Sequence, residues 1–191
     1  MNLFIDTHLN DVIIILSENG RIKKEKKILN EKQNSKIIMP LIKKMLNNEI
    51  PESIIVVNGP GSFTGVRLGV TIAKTLAYTL KIPIYTITSL ECMALNVGEE
   101  DKIVGFSDKN GYYIGIFNDE YTLVGEYEYL SNAEFEEFSN KYNVILDIKI
   151  NYEKVINYAL TKDSINPHIV NPIYIKKIDV EKWLEKPQKK I

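Results

Sequence analysis

The residues of this 191-residue chain that are able to do chemistry are few and widely spaced. His8 and His168 are its two histidines, so the two-histidine helical motif of zinc enzymes cannot be written. The single cysteine, Cys92, lies among apolar residues without a nearby histidine, which favours a buried thiol over a nucleophile. Ser62 lacks the spacing of a nucleophile elbow, and capping a helix is the simpler role for it. The sequence therefore predicts neither a metal site nor a nucleophilic active site.

Asp6 and Asp108 are the carboxylate pair with a matching context. Each ends a predicted strand and is followed by a tight turn and a second strand, so both can face one cleft between two lobes. Carboxylates in such a cleft can hold Mg²⁺ through water around a nucleotide. Thr7-His8 and Lys109-Asn110 follow them in place of the flexible Asp-x-Gly turn. We therefore favour the interpretation that Asp6 and Asp108 do not form a functioning metal site.

Residues 58–69, with the sequence NGPGSFTGVRLG, follow an aliphatic strand and open a helix. The free amides and dipole of a helix N-terminus attract anions, but the glycine spacing fits neither the Walker A motif nor the dinucleotide fingerprint. Gly65, Gly69, Ala73 and Ala77 recur every four residues and form a stripe of small residues that lets another backbone approach. The loop therefore predicts close packing rather than binding of ATP or NAD.

The elements that position these residues are predicted from hydrophobic periodicity and turn signals. The first half has the order βββαβαβα with a hairpin at Asn19-Gly20, and the second half restarts the pattern with three strands, a helix, a strand and a helix. This alternation predicts an α/β fold with mixed sheets covered by helices. The predicted strands are 3–6, 11–16, 21–28, 54–57, 84–87, 102–107, 112–118, 121–129 and 144–146, and the helices are 35–48, 65–81, 89–95, 132–141 and 152–161.

Two of these helices, 35–48 and 65–81, have more apolar surface than a helix lying on a sheet needs. Their apolar and small positions sweep roughly 200° of the helical wheel, whereas a little over about 100° suffices to cover a sheet. Contact between the two helices together with a protein partner explains the excess. Deeper burial within this chain explains it equally well.

The charge pattern bears on nucleic-acid binding, and the cysteine count and the apolar runs bear on the cellular compartment. The net charge is −1, and nine basic residues between Arg21 and Lys44 face two acidic ones. Clustered lysines can bind nucleic-acid phosphates, but a chain-wide bias to lysine, 22 against two arginines, favours a solvated face. One cysteine indicates a reducing compartment, and the aliphatic runs are too short to span a membrane. With no visible signal peptide, we expect a cytoplasmic protein.

Several segments together resemble the TsaB (YeaZ-like) family, from the bacterial machinery that makes threonylcarbamoyladenosine in tRNA. The resemblance is dense over residues 1–118 and sparse between 119 and 166. It rests on FIDT at 4–7, IMPLI at 38–42, GPGSFTGVRLG at 59–69, TSLECMA at 88–94, SD and GYY at 107–113, and PIYIK at 172–176.

The resemblance implies an actin-like (ASKHA, RNase H-like) two-lobed fold that has lost catalysis. It places an N-terminal lobe at 1–98, and a shortened C-terminal lobe with a tail at 99–191. It also implies a scaffold subunit without a cofactor, which binds and activates the catalytic subunit TsaD together with the ATPase TsaE. Such a subunit forms a homodimer when alone, reaches tRNA only through the complex, and does not contact a membrane.

The same resemblance places the partner surface on the two helices with wide apolar arcs. Asp6, Thr7 and Asp108 are predicted to line a vestigial nucleotide cleft. The alternative is an enzyme, an active actin-like ATPase or an M22-type metallopeptidase, using Asp6 and Asp108. The predicted partner-binding residues are Ile38, Leu41, Ile42, Met45, Gly65, Arg67, Leu68, Gly69, Ile72, Ala73 and Leu76.

Overall fold

A computed structural model describes residues 1–29, 34–98 and 102–176 of the chain, and the structural statements below concern these residues. Part of the basic stretch, residues 30–33, and the tail after Lys176 lie outside them. In the described part of the chain, no helix combines the length and the hydropathy needed to cross a bilayer.

Five strands form the first sheet, in the order β3-β2-β1-β4-β5. β1 pairs antiparallel with β2 and parallel with β4, so the sheet is mixed, as predicted. The lysine-rich strand β3 is the exposed edge, where charged side chains oppose pairing with other chains. The strands are β1 Asn2–Asp6, β2 Val12–Glu18, β3 Arg21–Ile28, β4 Ser53–Val57 and β5 Ile84–Ile87.

Two helices cover one face of this sheet, α1 (Asn34–Leu46) and α2 (Phe63–Leu80). Their apolar side chains form one core cluster with residues of β1, β2 and β4. α2 ends at Lys81, which has a left-handed backbone conformation and donates its N–H to the carbonyls of the last turn. A third helix, α3 (Ser89–Ala94), begins with a Thr88 cap, which forms a capping box with the third helical residue.

The second sheet is smaller and antiparallel, in the order β6-β7-β8. We call each sheet with the elements packed on it a lobe. α3 packs between the two lobes, because Leu90 and Met93 share a core cluster with Val104 and Phe117 of the second sheet. The helix α4 follows β8 directly through a Ser131 cap. These elements are β6 Lys102–Ser107, β7 Gly111–Phe117, β8 Glu128–Ser131 and α4 Asn132–Ser139.

Two predicted strands of the second half are wrong in extent. The predicted strand 121–129 is replaced by β8 at Glu128–Ser131. The Asn118 side chain accepts the amides of residues 120 and 122, and a positive φ of 59° at Tyr121 turns the chain there. The predicted strand 144–146 is reduced to one parallel bridge, between Ile145 and Val104.

The fifth helix, α5 (Tyr152–Ala159), packs on the other face of the first sheet. Val155 and Ile156 lie in one cluster with Phe4 and Ile15, so the second half of the chain completes the core of the first lobe. A short 3-10 helix, Pro167–Ile169, follows and lies against α2. The division of the chain at residue 98 stays a prediction, and α5 packs across it.

Candidate functional site

The turn between β1 and β2 lies directly on the glycine loop and the first turn of α2. Thr7 donates its hydroxyl to the carbonyl of Gly65 at 2.6 Å, and the Ser62 amide donates to the carbonyl of His8 at 2.6 Å. A Cβ at Gly65 would lie 2.1 Å from the Thr7 carbonyl oxygen, and one at Gly69 would lie 2.3 Å from Thr7 Oγ1. The small-residue stripe therefore admits a second backbone, as predicted.

The first turn of α2 is capped by this chain itself. Ser62 Oγ accepts the amide of Gly65 at 3.4 Å, which confirms the predicted cap. The Ser62 amide in turn donates to the carbonyl of His8 in the β1–β2 turn, so both polar groups of Ser62 are bound within this chain. This geometry supports the packing interpretation of the glycine loop.

Asp6 is bound by a residue two positions along the chain. Its Oδ1 accepts the backbone amide of His8 at 3.0 Å and lies 2.6 Å from His8 Nδ1. The Asp6 residue is buried, and the His8 ring packs edge-on against Phe106 of β6 with 5.6 Å between ring centroids. His8 therefore lies between the Asp6 carboxylate and the second lobe.

Asp108 is bound by residues far away in sequence. Its Oδ2 lies 2.8 Å from Lys176 Nζ, and its Oδ1 accepts the Tyr129 hydroxyl at 2.7 Å and the Asn110 amide at 2.8 Å. Partial burial opposes ionisation of Asp108, but these hydrogen bonds outweigh it and lower its pKa. Partial burial likewise opposes the charge of Lys176, and its bonds to Asp108 and Tyr129 raise its pKa well above the ordinary lysine value. The pair is therefore ionised across the physiological range.

Asp6 and Asp108 line different cavities between the lobes. Asp108 lines one of about 570 Å³ beside the glycine loop, and Asp6 lines one of about 710 Å³ beside the start of α5. Leu9 and Phe106 line both cavities and so lie between them. Thr7 is buried against α2. Within the described ranges, no three His, Cys, Asp or Glu side chains lie close enough together to hold a metal ion.

Cys92 faces the second of these cavities but is itself buried. Burial, reinforced by the nearby carboxylates of Asp6 and Glu91, raises the pKa of the thiol well above its ordinary value. A thiol that stays protonated is a poor nucleophile. The prediction of a buried, structural cysteine is therefore confirmed.

Most of the predicted partner-binding residues lie in the core of this chain, and their role as partner contacts stays a prediction. They hold α1 and α2 on the first sheet, so deeper burial accounts for most of the wide apolar arcs. The buried residues of the set are Ile38, Ile42, Met45, Gly65, Gly69, Ile72 and Ala73.

The remaining four predicted residues reach the surface. Leu41, Leu68 and Leu76 are half-buried, and Arg67 is exposed. Ile37, which was not among the predicted site residues, lies one helical turn before Leu41 and is also half-buried. The apolar side chains Ile37, Leu41, Leu68 and Leu76 pack against the first core cluster from outside, and we call them the helix-pair edge.

Arg67 is held in place by two aromatic rings. Its guanidinium carbon lies 3.8 Å from the centroid of the Phe63 ring, and its Nε donates to the Tyr174 hydroxyl at 2.6 Å. The rings of Phe63 and Tyr174 lie 4.9 Å apart. Tyr174 could not be identified from the sequence as a neighbour of Arg67, because 107 residues separate them. Arg67 therefore braces the start of α2.

The chain matches a known protein family over most of its length. The family model described as TsaD, tRNA N6-adenosine threonylcarbamoyltransferase, matches residues 27–166. The chain belongs to this family. Within this family, the curated relatives and the solved structures identify the chain as a TsaB/YeaZ-like member.

Two curated relatives carry the name tRNA threonylcarbamoyladenosine biosynthesis protein TsaB. The protein of Bacillus subtilis (strain 168) is 37% identical over 123 residues, which cover 60% of this chain and 54% of the relative. The protein of Buchnera aphidicola subsp. Schizaphis graminum is 40% identical over 88 residues, covering 44% of this chain and 37% of the relative. The family member thus matches about half or less of the length of these relatives.

Two solved structures from Pseudomonas aeruginosa share the fold. A protein described as similar to the peptidase YEAZ superposes with a TM-score of 0.73 at 17% identity, covering 92% of this chain and 99% of the other. A protein described as YeaZ gives a TM-score of 0.71 at 16% identity, with 91% and 99% coverage. These likenesses concern the fold, and they confirm the predicted α/β class.

Proposed function

We propose that this chain is a non-catalytic scaffold subunit in the threonylcarbamoyladenosine modification of the adenosine next to the anticodon in tRNA. It acts in the cytoplasm by binding and activating a TsaD protein together with TsaE, and needs no cofactor of its own. One contrast carries the proposal: both cleft aspartates are bound by side chains of this chain, whereas the helix pair keeps apolar side chains at its surface.

The engaged aspartates support the non-catalytic role. A catalytic carboxylate must reach a substrate proton or a metal ion. Asp6 is bound by His8, Asp108 is bound by Lys176, and the two carboxylates line separate cavities. No observation in the described part of the chain favours an ATPase or a peptidase that uses both.

The helix-pair edge supports a protein partner. Leucine and isoleucine side chains that are half-exposed along two adjoining helices gain free energy when a partner covers them. The same edge serves the homodimer of the isolated chain, because a two-fold contact uses one surface twice. Burial of the edge by TsaD then replaces the homodimer.

The basic stretch supports the view that tRNA is reached through the complex. Lys23 pairs with Glu18 at 3.3 Å, and Lys27 pairs with Asp11 at 3.1 Å. Lysines that are paired with carboxylates release fewer counterions on binding phosphates. We therefore expect weak binding of tRNA by the isolated chain and stronger binding by the assembly.

The decisive test is an arginine in the helix-pair edge. Leu68→Arg and Leu41→Arg place a charge where a partner would exclude water, so each is expected to weaken co-purification with the TsaD of the same cell at least tenfold. Val124→Arg is the matched control, because Val124 is an exposed apolar residue of the second lobe. Retained binding and tRNA modification in a Leu41→Arg, Leu68→Arg double variant would overturn the proposal.

Substitution of the buried helix residues cannot serve this test. Ile42 and Ala73 are fully buried in the first lobe, so an arginine at either position unfolds the chain whether or not a partner binds.

A second experiment addresses the non-catalytic role. Asp6→Asn with Asp108→Asn keeps the shapes of both side chains and removes their charges. In reconstituted tRNA modification, we expect this variant to retain activity within about twofold once its thermal unfolding shows a folded protein. Loss of activity in a folded variant that still binds TsaD would assign chemistry to the cleft.

A further inference from the structure

Residues 165–176 run from the first lobe to the second, and we call them the strap. They begin at the edge of the first sheet, where the Ile165 amide donates to the carbonyl of Ile84 at 2.8 Å. Val170 is buried in the core cluster of the first lobe. The Ile173 amide then donates to the carbonyl of Asn58, also at 2.8 Å. The first nine residues of the strap are thus anchored by backbone bonds and burial.

The strap also lies along α2. Lys74 Nζ donates to the carbonyl of Val170 at 2.9 Å, and the ring of His168 meets the ring of Tyr78 with 4.8 Å between centroids. Further on, Tyr174 accepts the hydrogen bond from Arg67. The strap therefore contacts α2 near both the first and the last turn of that helix.

The last two described residues of the strap belong to the second lobe. Ile175 packs against the core cluster of that lobe. Lys176 Nζ lies 2.8 Å from Asp108 Oδ2 and 3.0 Å from the Tyr129 hydroxyl. We call Lys176, Asp108 and Tyr129 the latch. Its ion pair is partly accessible to water, with side-chain exposures of 27% and 29%.

The glycine loop is shaped to let the strap pass. A Cβ at Gly59 would lie 2.8 Å from the carbonyl oxygen of Ile173, and Gly59 has a φ of +104°, which disfavours other residues. The loop thus contacts the β1–β2 turn through Gly65 and the strap through Gly59. This close approach shows that the strap is a built element of the fold.

We propose that the strap clasps the two lobes together, that the latch is its closing contact, and that opening the latch frees Tyr174 from Arg67 at the start of α2. The anchors on the first lobe are backbone bonds and buried apolar contacts, whereas the latch is an accessible charge pair. The latch is therefore the contact that opens first, and salt weakens it more than it weakens the anchors. This inference does not depend on the identity of any partner.

The test follows hydrogen exchange in the full chain by NMR. The chain has two arginines, Arg21 and Arg67, so the two Nε–H signals are easily assigned. Lys176→Met is expected to speed exchange at Arg67 Nε–H and at the Ile173 amide roughly three- to tenfold. The Arg21 signal and the Ile165 amide are expected to stay unchanged, because both lie away from the latch.

Asp108→Asn completes a double-mutant cycle with Lys176→Met. Both variants remove the same ion pair, so the double variant should exchange no faster than either single one. Lys109→Met is the control, since Lys109 lines the same cavity and makes no ion pair with the described residues. Salt at 1 M should speed exchange at Arg67 in the unsubstituted chain and leave Lys176→Met unaffected.

Three results would overturn the proposal. The first is unchanged exchange at Arg67 and Ile173 in both latch variants. The second is an equal rise at Ile165, because that pattern reports global destabilisation instead of release of the strap. The third is an additive effect of the two substitutions, which would show that Lys176 and Asp108 act separately.

Discussion

The two turns that follow the first strand of each lobe share a sequence pattern and differ in their physical support. Asp6 is 4% exposed and bound by His8, its neighbour in the same turn. Asp108 is partly exposed, and two of its partners, Lys176 and Tyr129, come from distant parts of the chain. An aspartate at the end of a strand therefore says little about its environment.

The two lobes are held at these turns by different kinds of contact. The first turn is fixed by backbone contacts with α2 that leave no room for a single methyl group. The second turn is fixed by charges that water and salt can reach. The lobe that carries the helix pair is thus rigid where it faces the cleft, and the opposite side of the cleft is adjustable.

The largest effect is expected from Gly65→Ala, which tests the rigidity of the first turn. The added Cβ would lie 2.1 Å from the carbonyl oxygen of Thr7, a backbone atom that cannot move aside without displacing β1. We expect a loss of about 4 kcal/mol in the free energy of unfolding, measured by urea denaturation.

Gly98→Ala is the control for that substitution. Among the described residues, nothing lies within 4 Å of a Cβ at Gly98, so the free energy of unfolding of Gly98→Ala should change by less than about 0.5 kcal/mol. Similar stabilities of the two variants would contradict the close contact between the turn and α2.

Alanine substitutions at Asp6 and at Asp108 compare the stability of the two turns directly. Removing the buried Asp6 carboxylate leaves the His8 amide and ring without their acceptor, at a cost of about 2 kcal/mol. Removing the more accessible Asp108 should cost less than about 1 kcal/mol. Urea denaturation of both variants measures the difference, and a larger loss at Asp108 would reverse the comparison.

Thr7→Val isolates one bond of the first turn. Valine keeps the shape of threonine and removes the hydroxyl that donates to the Gly65 carbonyl, so one buried hydrogen bond between the turn and α2 is lost. The expected loss is about 1 kcal/mol in the free energy of unfolding, with an unchanged denaturant slope. A stability equal to that of the unsubstituted chain would mean that the hydrogen bond between Thr7 and Gly65 does not stabilise the first turn.

Much of the first lobe could be predicted from the sequence. The first lobe follows local signals, because aliphatic runs, the Asn19-Gly20 hairpin and the Thr88 cap each act within a few residues. The small-residue stripe correctly indicates a close backbone approach, since only small residues permit one. What the stripe cannot specify is which backbone approaches, and the structure places the Thr7 turn there.

The second lobe and the site are less predictable because their contacts are long-range. A turn at Asn118 replaces part of a predicted strand, because the Asn118 side chain accepts two backbone amides. Hydrophobic periodicity in the sequence gives no sign of such hydrogen bonds. An amphipathic arc has the same appearance whether its side chains face a partner or this chain's own sheet, so the wide arcs could not distinguish a partner surface from deeper burial within this chain. Arg67 with Tyr174, and Asp108 with Lys176, meet only after the strap has folded across both lobes.

The smallest effect is a pH dependence that belongs to the second turn. The hydrogen bonds from Lys176 and Tyr129 lower the pKa of Asp108 in the folded chain, so Asp108 contributes stability above its unfolded pKa near 4. That contribution is lost as the pH falls through the lowered folded pKa. At pH 7 the partly exposed carboxylate should add only about 0.5 kcal/mol relative to Asp108→Asn.

Urea denaturation of the unsubstituted chain and of Asp108→Asn should therefore differ by this amount at pH 7 and converge at pH 2. The two proteins should converge because a protonated aspartate and an asparagine are both neutral at that position. In 1 M salt the difference at pH 7 should shrink, since the pair is accessible to ions. A difference that persists at pH 2 would show that Asp108 supports the turn by more than its charge, and the contrast between the two turns would fail.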